Sequence, residues 1–124
     1  QHASEELLET VASLKTALCE ADYEVLEFVG VSPEASAEMV YQTDIECASR
    51  ADVMIALVDL PSTGLGMEIM QRIVFEKPTV VIYQTTEKLS RMVLGAAAAH
   101  DSVTALERPS IDAILKSLRA ICQD

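Results

Sequence analysis

The sequence predicts a single α/β domain in which a mainly parallel sheet lies between two layers of helices. Helical and strand-like segments alternate along all 124 residues, without a linker, an internal repeat or a low-complexity segment. Two of the predicted strands are near-continuous apolar runs, which is typical of strands covered on both faces. Half of the residues are apolar and 23% are charged, as in folded globular proteins. We therefore treat residues 1–124 as one three-layer α/β domain.

The first half of the chain contains two predicted helices and two predicted strands. Apolar residues at helical spacing predict an amphipathic helix over Glu5–Glu20. The β-branched and aromatic stretch Tyr23–Val31 predicts a strand, and the Ser-Pro pair that follows it starts a second helix over Glu34–Arg50. The run Val53–Val58 predicts a buried strand.

The second half continues the alternation after a Gly-rich turn at Pro61–Gly66. Lys77-Pro78 ends the helix that follows, because the residue before a proline disfavours helical geometry. Ser110 suits the N-cap of the last helix. The predicted elements are the helix Met67–Glu76, the strand Thr79–Tyr83, the helix Lys88–Ala99, a short edge strand Val103–Leu106 and a final helix with Ile111, Ile114, Leu115, Leu118 and Ile121 on one face.

The helical pattern at Glu5 begins almost at the first residue given. A doubly wound sheet normally opens with a strand that lies in the middle of the sheet. We therefore expect that the natural chain starts earlier, and that the domain is N-terminally incomplete and lacks its first strand and the loop after it.

Charge and cysteine content exclude several classes of function. The 9 Lys and Arg against 20 Asp and Glu give a formal net charge of -11, which argues against broad binding to nucleic acids or anionic membranes. No run of about 18 apolar residues predicts a membrane-spanning helix. The three cysteines form no C-x-x-C pair, which argues against a zinc site or a disulfide framework and suits a reducing, cytoplasmic compartment.

The Gly-rich turn is the strongest local signal for a binding site. In parallel sheets ligands lie at the carboxyl ends of the strands, where this turn is predicted. Gly64 and Gly66 allow close approach of the backbone to a ligand, and the start of the next helix can bind an anion such as phosphate. Ser62 adds a hydroxyl donor. A tight turn with glycines needed only for packing explains the same pattern equally well.

Two carboxylates are candidates for catalysis. Glu68 is predicted in the first turn of a helix, where the helix dipole favours an ionised carboxylate. Such a group can act as a nucleophile or stabilise positive charge developing at a sugar carbon, or it can simply stabilise the helix. Asp44 has mainly apolar neighbours three and four residues away on its predicted helix, where burial of a carboxylate is costly. It is therefore paired with another group, functional, or exposed to solvent at the edge of the apolar face of the helix.

The stretch from Asp44 to Ala96 resembles the nucleoside 2-deoxyribosyltransferase superfamily, and most closely its branch of 2'-deoxynucleoside 5'-monophosphate N-glycosidases. The matching segments are Asp44-x-Glu46, Ala51-Asp52-Val53, Pro61-Ser62-x-Gly64-x-Gly66-x-Glu68, Arg72, Lys77-Pro78 and Leu89-Ser90-x-Met92-x-x-Gly95-Ala96. The resemblance implies a flavodoxin-like or Rossmann-like sheet and hydrolysis of the N-glycosidic bond of a nucleotide, without a metal or another cofactor.

The resemblance also implies a role for individual residues. Glu68 matches the glutamate that acts at C1' of the deoxyribose, and Asp44 matches the aspartate that positions substrate and handles protons. Ser62 and Ser90 match serines that hold the 5'-phosphate, with Ser90 reaching the site of the neighbouring subunit in a homodimer. The deoxyribosyltransferases have an aspartate where this chain has Ser62, which favours a phosphorylated substrate and hydrolysis over base exchange.

Three other functions are consistent with parts of the sequence. The first strand of the superfamily ends in a Gly/Ser/Arg-rich loop that nothing in Gln1–Glu20 matches, so the chain can be a catalytically inactive nucleotide-binding relative. It can also be a nucleoside 2-deoxyribosyltransferase. A receiver-like signalling domain is the third alternative, with Asp59 as the phosphoryl acceptor, although the spacing from Asp59 to Pro61 is shorter than in receivers.

Overall fold

The computed structural model describes residues 5–26, 34–59, 62–86 and 89–122. Within these residues, five helices and three strands follow one another in the predicted order, except for the strand predicted over Tyr23–Val31. They are α1 (Glu5–Glu20), α2 (Ala37–Arg50), β1 (Met54–Leu57), α3 (Thr63–Val74), β2 (Thr79–Tyr83), α4 (Arg91–Ala99), β3 (Val103–Glu107) and α5 (Ile111–Cys122).

The three strands form one parallel sheet in the order β1-β2-β3. Ala56 of β1 pairs with Val81 of β2, which pairs with Ala105 of β3. A parallel pair needs a crossover connection, and α3 and α4 supply the two crossovers. The carboxyl ends of β1 and β2 therefore lie side by side and lead into the first turns of α3 and α4.

Helices cover both faces of the sheet, as the predicted three-layer sandwich requires. On one face, Ala56 and Val81 pack with Ile69 and Ile73 of α3, and half-buried side chains of α4 complete this core. On the other face, Val80 and Ile82 pack with Leu14 and Leu18 of α1 and with Ile114 and Leu118 of α5. Alternate residues of β2 thus enter opposite cores, which explains why its sequence is a continuous apolar run.

Serine side chains cap the first turns of four of the described helices. Ser62 Oγ accepts a hydrogen bond from Leu65 N at 3.2 Å, so α3 begins at Thr63, four residues before the predicted start. Ser36 and Ser90 cap α2 and α4 in the same way, so these helices begin three residues after the predicted positions. Ser110 Oγ accepts from Ala113 N at 3.1 Å, which confirms its predicted role.

The predicted strand over Tyr23–Val31 is wrong in its described part and otherwise lies outside the described residues. Tyr23 to Leu26 pairs with none of the described strands. Tyr23 and Val25 are half-buried against the α1–α5 core, whereas Glu24 and Leu26 are exposed. The alternation therefore reflects an extended segment lying on a core, without the hydrogen-bond ladder that would make it a strand.

A buried arginine joins α2, α3 and the amino ends of two strands. Arg72 of α3 is 1% exposed. Its Nη1 donates to the carbonyl oxygens of Ala48 at 3.2 Å and Ala51 at 2.5 Å, and its Nη2 donates to those of Asp52 at 3.2 Å and Pro78 at 2.5 Å. The last carbonyls of a helix lack intrahelical donors, so Arg72 satisfies the end of α2 and holds this helix against α3.

None of the described helices combines the length and the apolar character needed to cross a bilayer.

Candidate active site

Asp44 of α2 and Glu68 of α3 line the same cavity, which has a volume of about 810 Å³. The cavity follows β1 from Val53 to Leu57 and is also lined by residues of α1, α5 and the segment after α1. Pockets of 300–1,000 Å³ are typical of small-molecule sites. The structure therefore brings together two of the carboxylates that the sequence singled out, although 24 positions separate them along the chain.

Glu68 is half-buried, and its pKa is raised above the ordinary value of 4.5. Burial is the larger cause, because it penalises the charged form, and the negative charge of Asp44 adds to it. The expectation that Glu68 lies in the first turn of its helix is wrong. Because α3 begins at Thr63, Glu68 is its sixth residue, beyond the turn where the helix dipole acts most strongly.

Asp44 is half-buried on α2, a helix that contacts α3. Its Oδ1 atom is buried and accepts no hydrogen bond within the part of the chain that the structure describes. A buried carboxylate oxygen without a donor is costly, so this atom is a ready acceptor for a ligand hydroxyl or N–H group. Of the alternatives left open for Asp44, pairing with a cation of the described chain is not seen.

The first turn of α3 carries the predicted anion site. Ser62 is exposed and uses Oγ to cap Leu65 N, while the backbone N–H groups of Thr63 and Gly64 have no intrahelical acceptor at this end of the helix. A Cβ atom on Gly66 would meet nothing within 4 Å, and one on Gly64 would meet Ser62 Oγ at 3.9 Å. The described chain therefore does not need either glycine for its own packing, contrary to the packing explanation.

Ser90 lies apart from this cavity. It is exposed at the N-cap of α4, where its Oγ accepts from Met92 N at 3.2 Å and Val93 N at 3.4 Å. The residues that line the cavity do not include Ser62, Gly64, Gly66 or Ser90. Within one chain the structure thus groups Asp44 with Glu68 and places Ser62 and the two glycines within two turns before Glu68. It leaves Ser90 at the start of a neighbouring helix.

Asp59 has a structural role at the end of β1. Its Oδ1 accepts hydrogen bonds from Gln84 N at 2.7 Å and Thr85 N at 3.3 Å, just beyond β2. These bonds join the carboxyl ends of the two strands and occupy an oxygen that a receiver domain would offer to a phosphoryl group. The geometry therefore gives no support to the receiver alternative.

Charged residues of the cavity that the sequence reasoning did not identify come from three separate segments. Lys15 of α1 and Arg50 of α2 line it, together with the acidic Asp22, Glu24 and Asp52. No local motif marks these residues, because only the packing of α1 and α2 around β1 brings them together. Acidic side chains outnumber basic ones, so an anionic ligand group is expected at the α3 N-terminus rather than deep in the cavity. The described residues hold no cluster of three or more His, Cys, Asp or Glu suited to a metal ion.

Several known proteins with similar sequences are named as nucleotide N-hydrolases. Over 97 residues the chain is 34% identical to a protein of Methanosarcina mazei named 2'-deoxynucleoside 5'-phosphate N-hydrolase 1, covering 73% of this chain and 60% of that protein. It is 31% identical over 80 residues to the 5-hydroxymethyl-dUMP N-hydrolase of Homo sapiens, covering 62% of this chain and 46% of that protein.

These relatives fit the nucleoside 2-deoxyribosyltransferase superfamily. This confirms the resemblance predicted from the residues between Asp44 and Ala96. No family model matches the sequence. The chain spans about 60% of the length of the Methanosarcina mazei relative.

A solved structure has a similar fold. The CMP N-glycosidase of Clostridium botulinum superposes with a TM-score of 0.66, covering 95% of this chain and 94% of the other at 19% identity. At this identity the likeness concerns the fold, and it confirms the predicted α/β sandwich.

Proposed function

We propose that the protein hydrolyses the N-glycosidic bond of (deoxy)nucleoside 5'-monophosphates and releases a free base and a sugar 5-phosphate. The observation that carries this proposal is that Asp44 and Glu68 line one cavity. Glu68 lies on the same helix, α3, whose first backbone amides lack intrahelical acceptors. The names of the related N-hydrolases support the same reaction class.

Cleavage of the N-glycosidic bond develops positive charge at C1', because the bonding electrons leave with the base. An ionised Glu68 beneath C1' stabilises that charge, or bonds to C1' until water replaces it. A water oxygen finally bonds to C1', and the departing base takes up a proton. Since the pKa of Glu68 is raised, the ionised fraction of Glu68 falls at a higher pH than that of an ordinary glutamate.

Asp44 is the proposed positioning and proton-handling group. Its unpartnered Oδ1 can accept a hydrogen bond from a sugar hydroxyl or from the attacking water. The negative charge of Asp44 also disfavours the ionised form of Glu68. Positive charge that develops at C1' in the transition state offsets this repulsion.

The 5'-phosphate is proposed to bind at the start of α3. The proposed phosphate site consists of neutral donors, namely the hydroxyl group of Ser62 and the backbone amides of Thr63 and Gly64. The space beside Gly66 is open, so it can accommodate the phosphate. Neutral donors suit a protein of net charge -11, in which the phosphate meets no large basic patch. The serine at position 62, where the transferases have an aspartate, favours a monophosphate substrate over a free nucleoside and hydrolysis over transfer.

The active form is proposed to be a cytoplasmic homodimer. Ser90 lies outside the cavity of its own chain, as expected if it serves the phosphate site of a neighbouring subunit. Cys19, Cys47 and Cys122 are free thiols, which suits a reducing compartment.

Release of free base from a panel of deoxynucleoside and ribonucleoside 5'-monophosphates, followed by chromatography, tests the proposal. We expect base and sugar 5-phosphate in equal amounts, and a loss of at least a hundredfold in rate for Glu68→Gln. Glu38→Gln is the control, because Glu38 is an exposed carboxylate near the start of α2. A Glu68→Gln rate within tenfold of the parent would refute the role given to this carboxylate.

The alternative activities give different products in the same experiment. Transfer of the sugar to an added second base, without net hydrolysis, would identify a deoxyribosyltransferase. Tight binding of monophosphates without any free base would identify a non-catalytic nucleotide-binding protein.

A further inference from the structure

Two cationic side chains bind the carboxyl end of α2. Arg72 of α3 donates to the carbonyl oxygens of Ala48 and Ala51. Lys77, which follows α3, donates from Nζ to the carbonyl oxygen of Ser49 at 2.6 Å. The last carbonyls of a helix lack intrahelical donors and carry the negative end of the helix dipole, so a cation is favourable there. Two separate positions of the chain thus bind the same turn of α2.

The way in which α3 ends places Lys77 for this bond. Glu76 has a φ of 56°, the left-handed conformation that commonly ends a helix. Its N–H donates to Ile73 O at 3.0 Å, and the N–H of Lys77 donates to Arg72 O at 2.8 Å. These are the two hydrogen bonds of a Schellman motif. The backbone of Lys77 is therefore fixed relative to α3, and its side chain joins α2 to that fixed point.

The two candidate catalytic carboxylates lie one helical turn before these bonds. Asp44 precedes Ala48 by four residues, so both lie on the same side of α2. Glu68 precedes Arg72 by four residues, so both lie on the same side of α3. Each helix leads into one of two neighbouring parallel strands, so the two helices run in the same direction. One turn back from the Ala48–Arg72 contact on both helices therefore leads to Asp44 and Glu68, which line the same cavity.

Helix α2 has little apolar anchoring of its own. None of its side chains is fully buried, and residues 37–42 are all exposed. In most helices of globular proteins, a buried apolar stripe determines how the helix lies against its neighbours. The hydrogen bonds from Arg72 and Lys77 therefore account for a large share of the attachment of α2, and the placement of Asp44 depends on them.

We infer that Lys77, together with Arg72, is a positioning residue that sets α2 against α3 and thereby places Asp44 beside Glu68. Neither cation is among the residues that line the cavity, so each acts through the carboxylates. A displacement of about 1 Å in a reacting group can reduce a rate by about a hundredfold. The inference rests on the proposed function, in which the two carboxylates act together. It gives Lys77 a role beyond ending α3.

Lys77→Met tests the inference, because it removes the Nζ donor and keeps a long, flexible side chain. We expect kcat for base release to fall about tenfold while KM changes by less than about threefold, since the proposed phosphate site lies at the other end of α3. Lys77→Arg restores a cationic donor and should recover most of the lost kcat. Ser110→Ala is the control for a general loss of stability, because Ser110 caps α5 and does not line the cavity. Its kcat should equal that of the parent.

The titration of the Glu68 carboxyl group adds a readout that does not depend on activity. Because the charge of Asp44 helps to raise the pKa of Glu68, displacement of α2 should lower that pKa toward 4.5. Carbon-13 NMR should show this change in Lys77→Met, but not in Lys77→Arg or Ser110→Ala.

Two results would overturn the inference. One is a Lys77→Met variant with the kcat and the Glu68 titration of the parent, and the other is equal changes in Lys77→Met and Ser110→Ala. A parent protein that releases no base would refute the proposed hydrolysis instead. The Glu68 titration would still decide whether Lys77 positions the two carboxylates, so the two failures are distinguishable.

Discussion

The carboxylates of Asp44 and Glu68 face one cavity from adjacent helices, and the charge of Asp44 helps to raise the pKa of Glu68. Neither helix alone would produce this arrangement. It depends on Arg72, which binds the last carbonyls of α2 from within α3 and so holds the two helices together. The structural arginine and the candidate catalytic glutamate are one helical turn apart, and both face inward from α3.

Removal of the Asp44 charge should lower the pKa of Glu68. In Asp44→Asn the electrostatic repulsion disappears while burial, the larger cause, remains, so we expect a partial return toward 4.5. Carbon-13 NMR titration of the glutamate carboxyl groups measures this without any dependence on activity. Glu46→Gln, which alters an exposed carboxylate of the same helix, should leave the titration of Glu68 unchanged. An unaltered Glu68 titration in Asp44→Asn would show that the two groups are not coupled.

Ionisation of Glu68 should reduce the stability of the folded protein. A carboxyl group whose pKa is raised on folding contributes stability that is fully present below its unfolded pKa and is lost as the pH rises through the folded pKa. Glu68→Gln removes this dependence, so we expect its Tm to exceed that of the parent by roughly 2 °C at pH 7. At pH 4 the difference should vanish. Thermal unfolding of the parent and of Glu68→Gln at pH 7 and pH 4 measures this difference in Tm. An equal gain in Tm at both pH values would contradict an effect of Glu68 ionisation.

Replacement of Arg72 should destabilise the whole domain. Arg72→Met removes four hydrogen bonds and takes this donor away from the carbonyl oxygens of Ala48, Ala51 and Asp52, at a cost of about 3 kcal/mol. The carbonyl oxygen of Pro78 keeps the hydrogen bond from Met54 N. Urea unfolding measures the change. Arg119→Met provides the comparison, because Arg119 is exposed on α5 and its loss should alter stability by no more than about 0.5 kcal/mol. Equal effects of the two substitutions would mean that the Arg72 bonds contribute nothing net.

Ser62 should affect both folding and phosphate binding. Ser62→Ala removes the cap of α3 and should lower the free energy of unfolding by about 1 kcal/mol. Ser110→Ala removes the equivalent cap of α5, so it matches the loss of stability without altering the proposed site. In calorimetric titrations, Ser62→Ala alone should weaken binding of a deoxynucleoside monophosphate more than binding of the nucleoside. Equal weakening for both ligands would remove the reason for a monophosphate preference.

Much of the architecture could be predicted from residue patterns. The apolar runs of β1 and β2, the proline after Lys77 and the capping serine at 110 each act over a few residues, so they predict elements directly. Helix starts were less predictable: the predicted starts of α2, α3 and α4 were three or four residues from the observed starts, which follow the caps Ser36, Ser62 and Ser90. Misplacing the start of α3 also misplaced Glu68 relative to the helix dipole.

By itself, the sequence determined the layered α/β class, the superfamily and the identity of the acidic candidates, because these depend on local patterns and ordered motifs. Only the tertiary structure decided that Asp44 and Glu68 share a cavity, that Asp59 joins two strands, and that Lys77 binds the carboxyl end of α2. Each of these depends on the distance between residues far apart in the chain, which is determined by the packing of helices on the sheet and leaves no trace in local spacing.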